Sequence, residues 1–368
     1  MHCDFITILG TRPEIVQFAP LLRKLDTSFN HKYIYTNQHV SENMKQFGAL
    51  GMRSPDFTLK QESSYPEAIM LSLLELIGNY DLTFDNLIIF GYSNSSLGSV
   101  YAVDKLKTRN RKVNIIHING GLRCHNPLLS EEKTCKYIDR ISDYILCPTR
   151  HDQLNVVSEG IRGKSYHVGD LLFDTFAEAQ VGAHEVKIDK PYVIIDVHRP
   201  FNIDNKYILN NLFTEFNKIP YPVVFLAHPN TEDQLAKYRI QIAPHIKVIE
   251  PLPYPEFIDL LKNSFAIVTD SINVPLEASI LGIPCLSIRN ETERPNTVVY
   301  GTNILVGSNI SLLNFYLDML EDTDYKHRFG IMKQDYSASD NIINILRGIK
   351  YTEILELEVI KVHNQLRY

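Results

Sequence analysis

The sequence predicts an α/β protein with two doubly wound parallel sheets facing a central cleft. Three observations carry this. The chain has 368 residues, more than the roughly 100–200 of one typical domain. Short runs rich in β-branched residues alternate with helical stretches, the pattern of a parallel sheet covered by helices. That series restarts near residue 190, so the pattern occurs twice. With 44% hydrophobic and 22% charged residues, the composition is that of an ordinary globular chain and excludes a disordered one.

The first predicted strand, residues 5–9 (FITIL), runs into Gly10-Thr11-Arg12-Pro13 and a helix with apolar positions Ile15, Phe18, Leu22 and Leu25. Thr11 suits the N-cap and Pro13 the first turn, where its missing N–H is no loss. Strands at 32–35, 87–90, 113–116 and 144–147 complete the first domain. The second series comprises 192–197, 223–227, 247–250, 265–269 and 284–288. The boundary is expected between Gly169 and Lys190, which gives domains of residues 1–172 and 173–350. Residues 351–368 are expected to supply a terminal helix that crosses back onto the first domain.

In such sheets ligands bind beyond the carboxyl ends of the strands, so the polar residues there are site candidates. Gly10 and Arg12 put a tight turn, a guanidinium and a helix N-terminus together, a combination suited to a phosphate. A capped helix with an exposed arginine explains them equally well. In the second domain Thr269-Asp270-Ser271 leads into a helix carrying Glu277. Ser271 and the helix amides suit a diphosphate, and Glu277 suits both ribose hydroxyls. The plainer alternative makes Ser271 an N-cap and leaves Glu277 on a solvated face. His198, Arg199 and His228 add cationic or donor groups to the same edge.

Several classes are excluded. Net charge is −6, and the basic stretch at 107–112 reads as a solvated turn, so no nucleic-acid partner is expected. Cys3, Cys124, Cys135, Cys147 and Cys285 contain no CxxC pair, and no histidines show HExxH spacing. No metal, cofactor or disulfide framework is expected, and the thiols read as reduced, in a cytoplasmic protein. No apolar run approaches the roughly 20 residues of a membrane span, and no signal-peptide pattern opens the chain.

The segments GTRPEIVQFAPLL at 10–22, YTNQHVSENM at 35–44, HINGGLR at 117–123, SEEKTCKYIDRISDYILCPT at 130–149, HVGDLLFD at 167–174, VHRPFN at 197–202, AHPN at 227–230 and the long block at 269–307 stand in a telling order and spacing. Through them the chain resembles the UDP-N-acetylglucosamine 2-epimerase family over nearly its whole length. The resemblance implies two Rossmann-like domains of the GT-B type, a UDP-sugar in the cleft and a homodimer. It puts Arg12 near the diphosphate and His198, Ser271 and Glu277 on the UDP moiety. Arg123 and the turn at 292–295, with Arg294, become lining or supporting elements. Gln38 and His39 match a segment that in some members helps bind a second, activating UDP-sugar; a plain loop is the alternative.

Epimerisation at C2 in this family is understood as elimination of UDP to a glycal-like intermediate and re-addition on the other face. That needs acid/base groups on both faces of the ring. Here the family's Gly-Asp-Thr-Thr is Gly91-Tyr92-Ser93-Asn94, and its His-Val-Glu-Ala-Gly is His117-Ile118-Asn119-Gly120-Gly121. Only the paired Glu131 and Glu132 remain. Asn119 takes no proton, and a tyrosine with an ordinary pKa near 10 is protonated at neutrality. Glu131 or Glu132 is therefore the expected acid/base, with Tyr92, His117 or His125 replacing a lost group and Asn119 and His198 in the same centre. Further departures are Cys135 for an arginine, Ile272-Asn273 for two glycines and Pro275-Leu276 for Gln-Glu. Three readings follow: a UDP-sugar 2-epimerase, acting by epimerisation or hydrolysis; a glycosyltransferase passing a UDP-sugar donor to an acceptor; and a non-catalytic nucleotide-sugar binder.

Overall fold

The computed structural model describes residues 1–37, 40–60, 65–108, 113–179, 186–322 and 329–351. The first sheet holds β1 (His2–Leu9), β2 (His31–Tyr35), β3 (Phe57–Thr58), β4 (Thr83–Phe90), β5 (Asn114–Ile118), β6 (Tyr144–Cys147) and β7 (Lys164–His167). Its helices are α1 (Arg12–Ser28), α2 (Val40–Ala49), α3 (Pro66–Asn79), α4 (Asn94–Lys107), α5 (Ser130–Ile141), α6 (Arg150–Ser158) and α7 (Leu171–Glu178). The second sheet holds β8 (Val193–Asp196), β9 (Val223–Leu226), β10 (Ile246–Ile249), β11 (Ala266–Thr269), β12 (Cys285–Ser287) and β13 (Asn303–Leu305). Between and after these strands run α8 (Pro200–Ile203), α9 (Lys206–Phe216), α10 (Pro229–Tyr238), α11 (Tyr254–Lys262), α12 (Val274–Leu281), α13 (Pro295–Val299), α14 (Leu313–Met319) and α15 (Ala338–Tyr351).

The strand order is β3-β2-β1-β4-β5-β6-β7 in one sheet and β10-β9-β8-β11-β12-β13 in the other. Every pairing is parallel, for example Phe5 opposite His31 and Ile194 opposite Val224. Central strands such as β8 (VIID) and β9 (VVFL) are buried along their whole length, as a sheet covered on both faces requires. The order reverses between β1 and β4 and again between β8 and β11. At such switch points adjacent loops part to opposite faces and leave a crevice.

Most predicted strands are present, with shifted ends. The strand expected at 113–116 runs two residues further, so His117 and Ile118 belong to β5 rather than to the following loop. The edge strands β3, β7 and β13 were not foreseen. β3 has two residues, β13 has three, and β7 reads Lys-Ser-Tyr-His with no fully buried position.

Helix α1 packs against α7 and α15. Thr11 is its N-cap, and the Glu14 carboxylate accepts from the backbone N–H groups of Gly10 and Thr11 at 2.6 and 2.9 Å. Pro20 lies inside the helix and has no N–H for the carbonyl of Val16. The Thr175 hydroxyl of α7 donates to that carbonyl at 2.9 Å instead. Asp174 of α7 in turn accepts from the backbone N–H groups of Ala338 and Ser339 at the start of α15. One buried apolar cluster continues from α1 and the first sheet through α7 and α15 to α11 and α12. The terminal helix expected within 351–368 falls, apart from Tyr351, outside the described residues. Among the described residues no helix is long and apolar enough to cross a membrane.

Candidate active site

Both switch points open on one cavity of about 410 Å³ between the lobes. The first lobe supplies Thr11 and Arg12 after β1. The second supplies Asp196 and His198 at the end of β8, His228 after β9, and Ser271, Asn273 and Glu277 after β11. Arg12 lies over the Phe257 ring at 5.6 Å, so an arginine of one lobe rests on an aromatic of the other. Gly10 is required beneath it: a Cβ there would stand 1.8 Å from Ser95 Oγ and 2.5 Å from Thr36 Oγ1. Those two hydroxyls are hydrogen-bonded to each other at 2.6 Å.

Glu277 is buried rather than on a solvated face. Burial pushes its carboxyl up to about 7, against the lowering influence of Arg12 and Arg294. The plainer reading of Ser271 also fails, because α12 starts at Val274 with Asn273 as its N-cap. Ser271 is thereby left in the loop lining the cavity, with its backbone N–H donated to Thr269 Oγ1 at 3.0 Å. At α1 the amides of Gly10 and Thr11 are taken by Glu14, while the Arg12 side chain lines the cavity.

Behind His198 lies a polar layer that the sequence reading missed. Asp196 Oδ1 accepts from His228 Nε2 at 2.9 Å, and its Oδ2 accepts from Thr269 Oγ1 at 3.1 Å. Asp270 accepts from the backbone N–H groups of His198 and Arg199 and from Asn202 Nδ2, which fixes the turn after β8. Burial disfavours a charged His198 ring, but the Asp270 and Asp196 carboxylates outweigh it and raise the ring's pKa. Burial likewise opposes ionisation of Asp196, yet His198 and His228 hold it well below the usual carboxylate range. An aspartate closing an apolar strand was the available signal.

The acid/base candidates separate sharply. Glu131, at the start of α5, reaches across the cleft to within 3.6 Å of Arg199. Arg199 faces this carboxylate rather than lining the cavity. Glu132 turns into its own lobe and accepts from the Cys124 N–H at 2.9 Å, with Lys136 Nζ also at 2.9 Å. Burial raises its pKa, and Lys136 and the Cys124 amide more than offset this and hold it low. Burial next to Glu293 raises the Tyr92 pKa, so its hydroxyl stays protonated. Asn119 sits in a left-handed conformation, φ 63°, and donates to Gln17 Oε1.

Three expected groups do other work. His117 is anchored by Asp139 Oδ1 and the Gly91 carbonyl, both at 2.7 Å, so neither nitrogen is left for proton transfer. Arg123 is buried inside the first lobe against Asp139 at 2.7 Å and Glu159 at 2.9 Å, too well paired to touch a ligand. Arg294 does not line the cavity; it joins Asp170 to Asn273 and so braces the α12 N-terminus. His125 is exposed, with φ 59°. Gln38 and His39 lie outside the described residues.

A family model described as UDP-N-acetylglucosamine 2-epimerase matches residues 23–347. The chain belongs to the UDP-N-acetylglucosamine 2-epimerase family. A curated relative, the UDP-N-acetylglucosamine 2-epimerase of Methanocaldococcus jannaschii, is 33% identical over 94% of this chain and 99% of its own length. That of Methanococcus maripaludis is also 33% identical, over 93% and 98%. The crystal structure of the Methanocaldococcus jannaschii UDP-GlcNAc 2-epimerase in complex with UDP-GlcNAc and UDP matches with a TM-score of 0.82 at 29% identity, covering 94% of this chain and 99% of that one. The two-sheet GT-B-like architecture of the 2-epimerase family is thus present here. Glu131 pairs with Arg199 of the opposite lobe, and neither it nor Glu132, Tyr92 or Asn119 is among the residues lining the cavity at the switch points.

Proposed function

We propose that this chain binds a UDP-N-acetylhexosamine between its lobes and inverts C2 of the sugar by eliminating and re-adding UDP. The observation carrying this reading is the cavity at the two switch points, where Arg12 of one lobe meets Ser271 and the buried Glu277 of the other. Arg12, His198 and the Ser271 hydroxyl form a cationic and donor-rich edge for the diphosphate. Glu277 accepts the two ribose hydroxyls. In the elimination a base takes the C2 proton, the C2 electron pair forms the glycal double bond, and UDP leaves C1 with the pair of the broken C–O bond. Protonation of C2 on the opposite face by a solvent-derived proton and addition of UDP to C1 complete the inversion.

Glu131 is the group assigned to the C2 proton. Tyr92 supplies a hydrogen bond as a neutral donor, and Asn119 positions without exchanging protons. The five buried free cysteines support a reducing cytoplasmic setting, and the same reading carries a homodimer, which sedimentation equilibrium checks. The experiment is incubation with UDP-N-acetylglucosamine in D₂O. Deuterium at C2 is expected, with Glu131→Gln lowering kcat about 10²- to 10⁴-fold. Absence of both deuterium and released UDP sinks the reading. The lack of a carboxylate at Tyr92 and Asn119 favours one alternative, a glycosyltransferase, which would release UDP and transfer sugar to an acceptor without C2 exchange.

A further inference from the structure

The floor of the cavity gathers three potential ligand side chains from the ends of adjacent strands. Asp196 closes β8, His198 stands two residues later, and His228 follows the neighbouring β9. Asp196 Oδ1 is 3.5 Å from His198 Nδ1 and 2.9 Å from His228 Nε2. The three donor atoms all lie within 4.8 Å of one another. Atoms that share a tetrahedral first-row ion at about 2.0–2.2 Å stand roughly 3.3 Å apart, a value the two Asp196 separations bracket and to which the pair of imidazoles, at most 4.8 Å apart, would close by side-chain rotation. We propose that Asp196, His198 and His228 bind a divalent transition-metal cation, zinc foremost, whose open coordination side faces the cavity.

Four features support the site. His198 Nδ1 is buried and, among the described residues, has no hydrogen-bond partner; its contacts with Asp196 and Asp270 are both 3.5 Å long. Buried polar atoms are rarely left so, and a metal bond would satisfy this one. Thr269 Oγ1 pins Asp196 Oδ2 at 3.1 Å and leaves Oδ1 directed at the two rings, as outer-shell partners do for metal-binding carboxylates. Two imidazoles and one carboxylate are a donor set of open zinc and iron sites. Finally, the carboxylates of Asp196 and Asp270 each stand 3.5 Å from His198 Nδ1, and a dication held by them would add to the positive charge that Arg12 brings to the place proposed for a diphosphate. Only this last feature rests on the UDP-sugar reading.

The test uses the full chain, stripped with a chelator and titrated first with metal alone. One zinc per chain is expected, with manganese weaker and magnesium at least a hundredfold weaker. Asp196→Asn and His228→Ala should weaken zinc at least tenfold, whereas Asp340→Asn on α15 should not. Cobalt(II) bound to the unmutated protein gives a visible spectrum that reports nitrogen and oxygen ligation without relying on a variant's folding. Adding UDP should shift that spectrum if the diphosphate completes the coordination shell. No stoichiometric zinc and a featureless cobalt spectrum overturn the proposal, whether or not UDP binds. Zinc bound with a spectrum indifferent to added UDP supports the metal site and overturns its contact with the diphosphate. Zinc bound by a chain that does not bind UDP supports the metal site and instead refutes the proposed function.

Discussion

Glu277 is a carboxyl group that folding makes hard to ionise, and this has a consequence at a single residue. Its folded pKa of about 7 lies above the ordinary value, so the folded chain keeps a proton that the unfolded chain releases. The penalty is absent below about pH 4.5, grows as pH rises, and is complete above about pH 7. Glu277→Gln should therefore stabilise the ligand-free protein at pH 8 by roughly 2–4 kcal/mol and leave it nearly unchanged at pH 4.5, read by urea unfolding at both values. The bound nucleotide works the other way. Ribose hydroxyls favour the carboxylate, so the ratio of wild-type to Glu277→Gln affinity for UDP should rise through pH 7 and level off, measured by calorimetry. Gly10→Ala is a simpler case: with Ser95 Oγ 1.8 Å from the new Cβ, a loss of about 1–3 kcal/mol is expected in thermal unfolding. Arg12, His198, Ser271 and Glu277 were legible because each follows an apolar strand. Asp196 was not, because a single polar residue ending such a strand also reads as mere punctuation, and its partner His228 is distant in sequence.

Helix α1 shows how one element depends on another. Pro20 withdraws a donor from the Val16 carbonyl, and Thr175 of α7 restores one. Thr175 is fully buried, so Thr175→Val keeps the shape and strands the carbonyl. A loss of about 1–3 kcal/mol is expected, visible as a lower urea midpoint at unchanged slope. A midpoint equal to wild type would show that Val16 finds another donor. Nothing in the sequence announces this pairing, since Pro20 reads locally as a helix breaker and Thr175 as a neutral helical position. The apolar runs of central strands announce themselves, because both faces are buried and the run is continuous. The edge strands β3, β7 and β13 do not, because two or three residues, or a polar Lys-Ser-Tyr-His, offer no apolar period to read. The same limit applies to α12: Pro275 fits its first turn, yet the N-cap is Asn273 rather than Ser271, and its Oδ1 accepts from Arg294, a partner that no local pattern announces.

Across the whole molecule, the site exists only while the lobes are held together. Arg12 meets Phe257, Glu131 meets Arg199, Asp170 meets Arg294, and Asn126 Nδ2 reaches Glu291 Oε1 at 3.2 Å. The first two contacts involve Arg12 and Glu131, which the proposed chemistry also uses, so substituting them confounds closure with catalysis. Gln46 avoids this difficulty. It lies on α2, outside the cavity lining, and its Oε1 accepts from the buried Tyr254 N–H at 2.9 Å at the start of α11. Gln46→Ala leaves that N–H unpaired in the closed form, a cost of about 1–3 kcal/mol, whereas an opened cleft lets water pair with it. The substitution thus biases the lobes toward opening. The apparent affinity for UDP falls by the fraction of molecules still assembled, which for this range is at most about 5- to 150-fold. Small-angle scattering should show a larger radius of gyration for free Gln46→Ala than for free wild type, and the two should converge at saturating UDP. Weaker binding with identical free-state scattering would instead place the loss in local distortion of Tyr254 and refute closure as the cause.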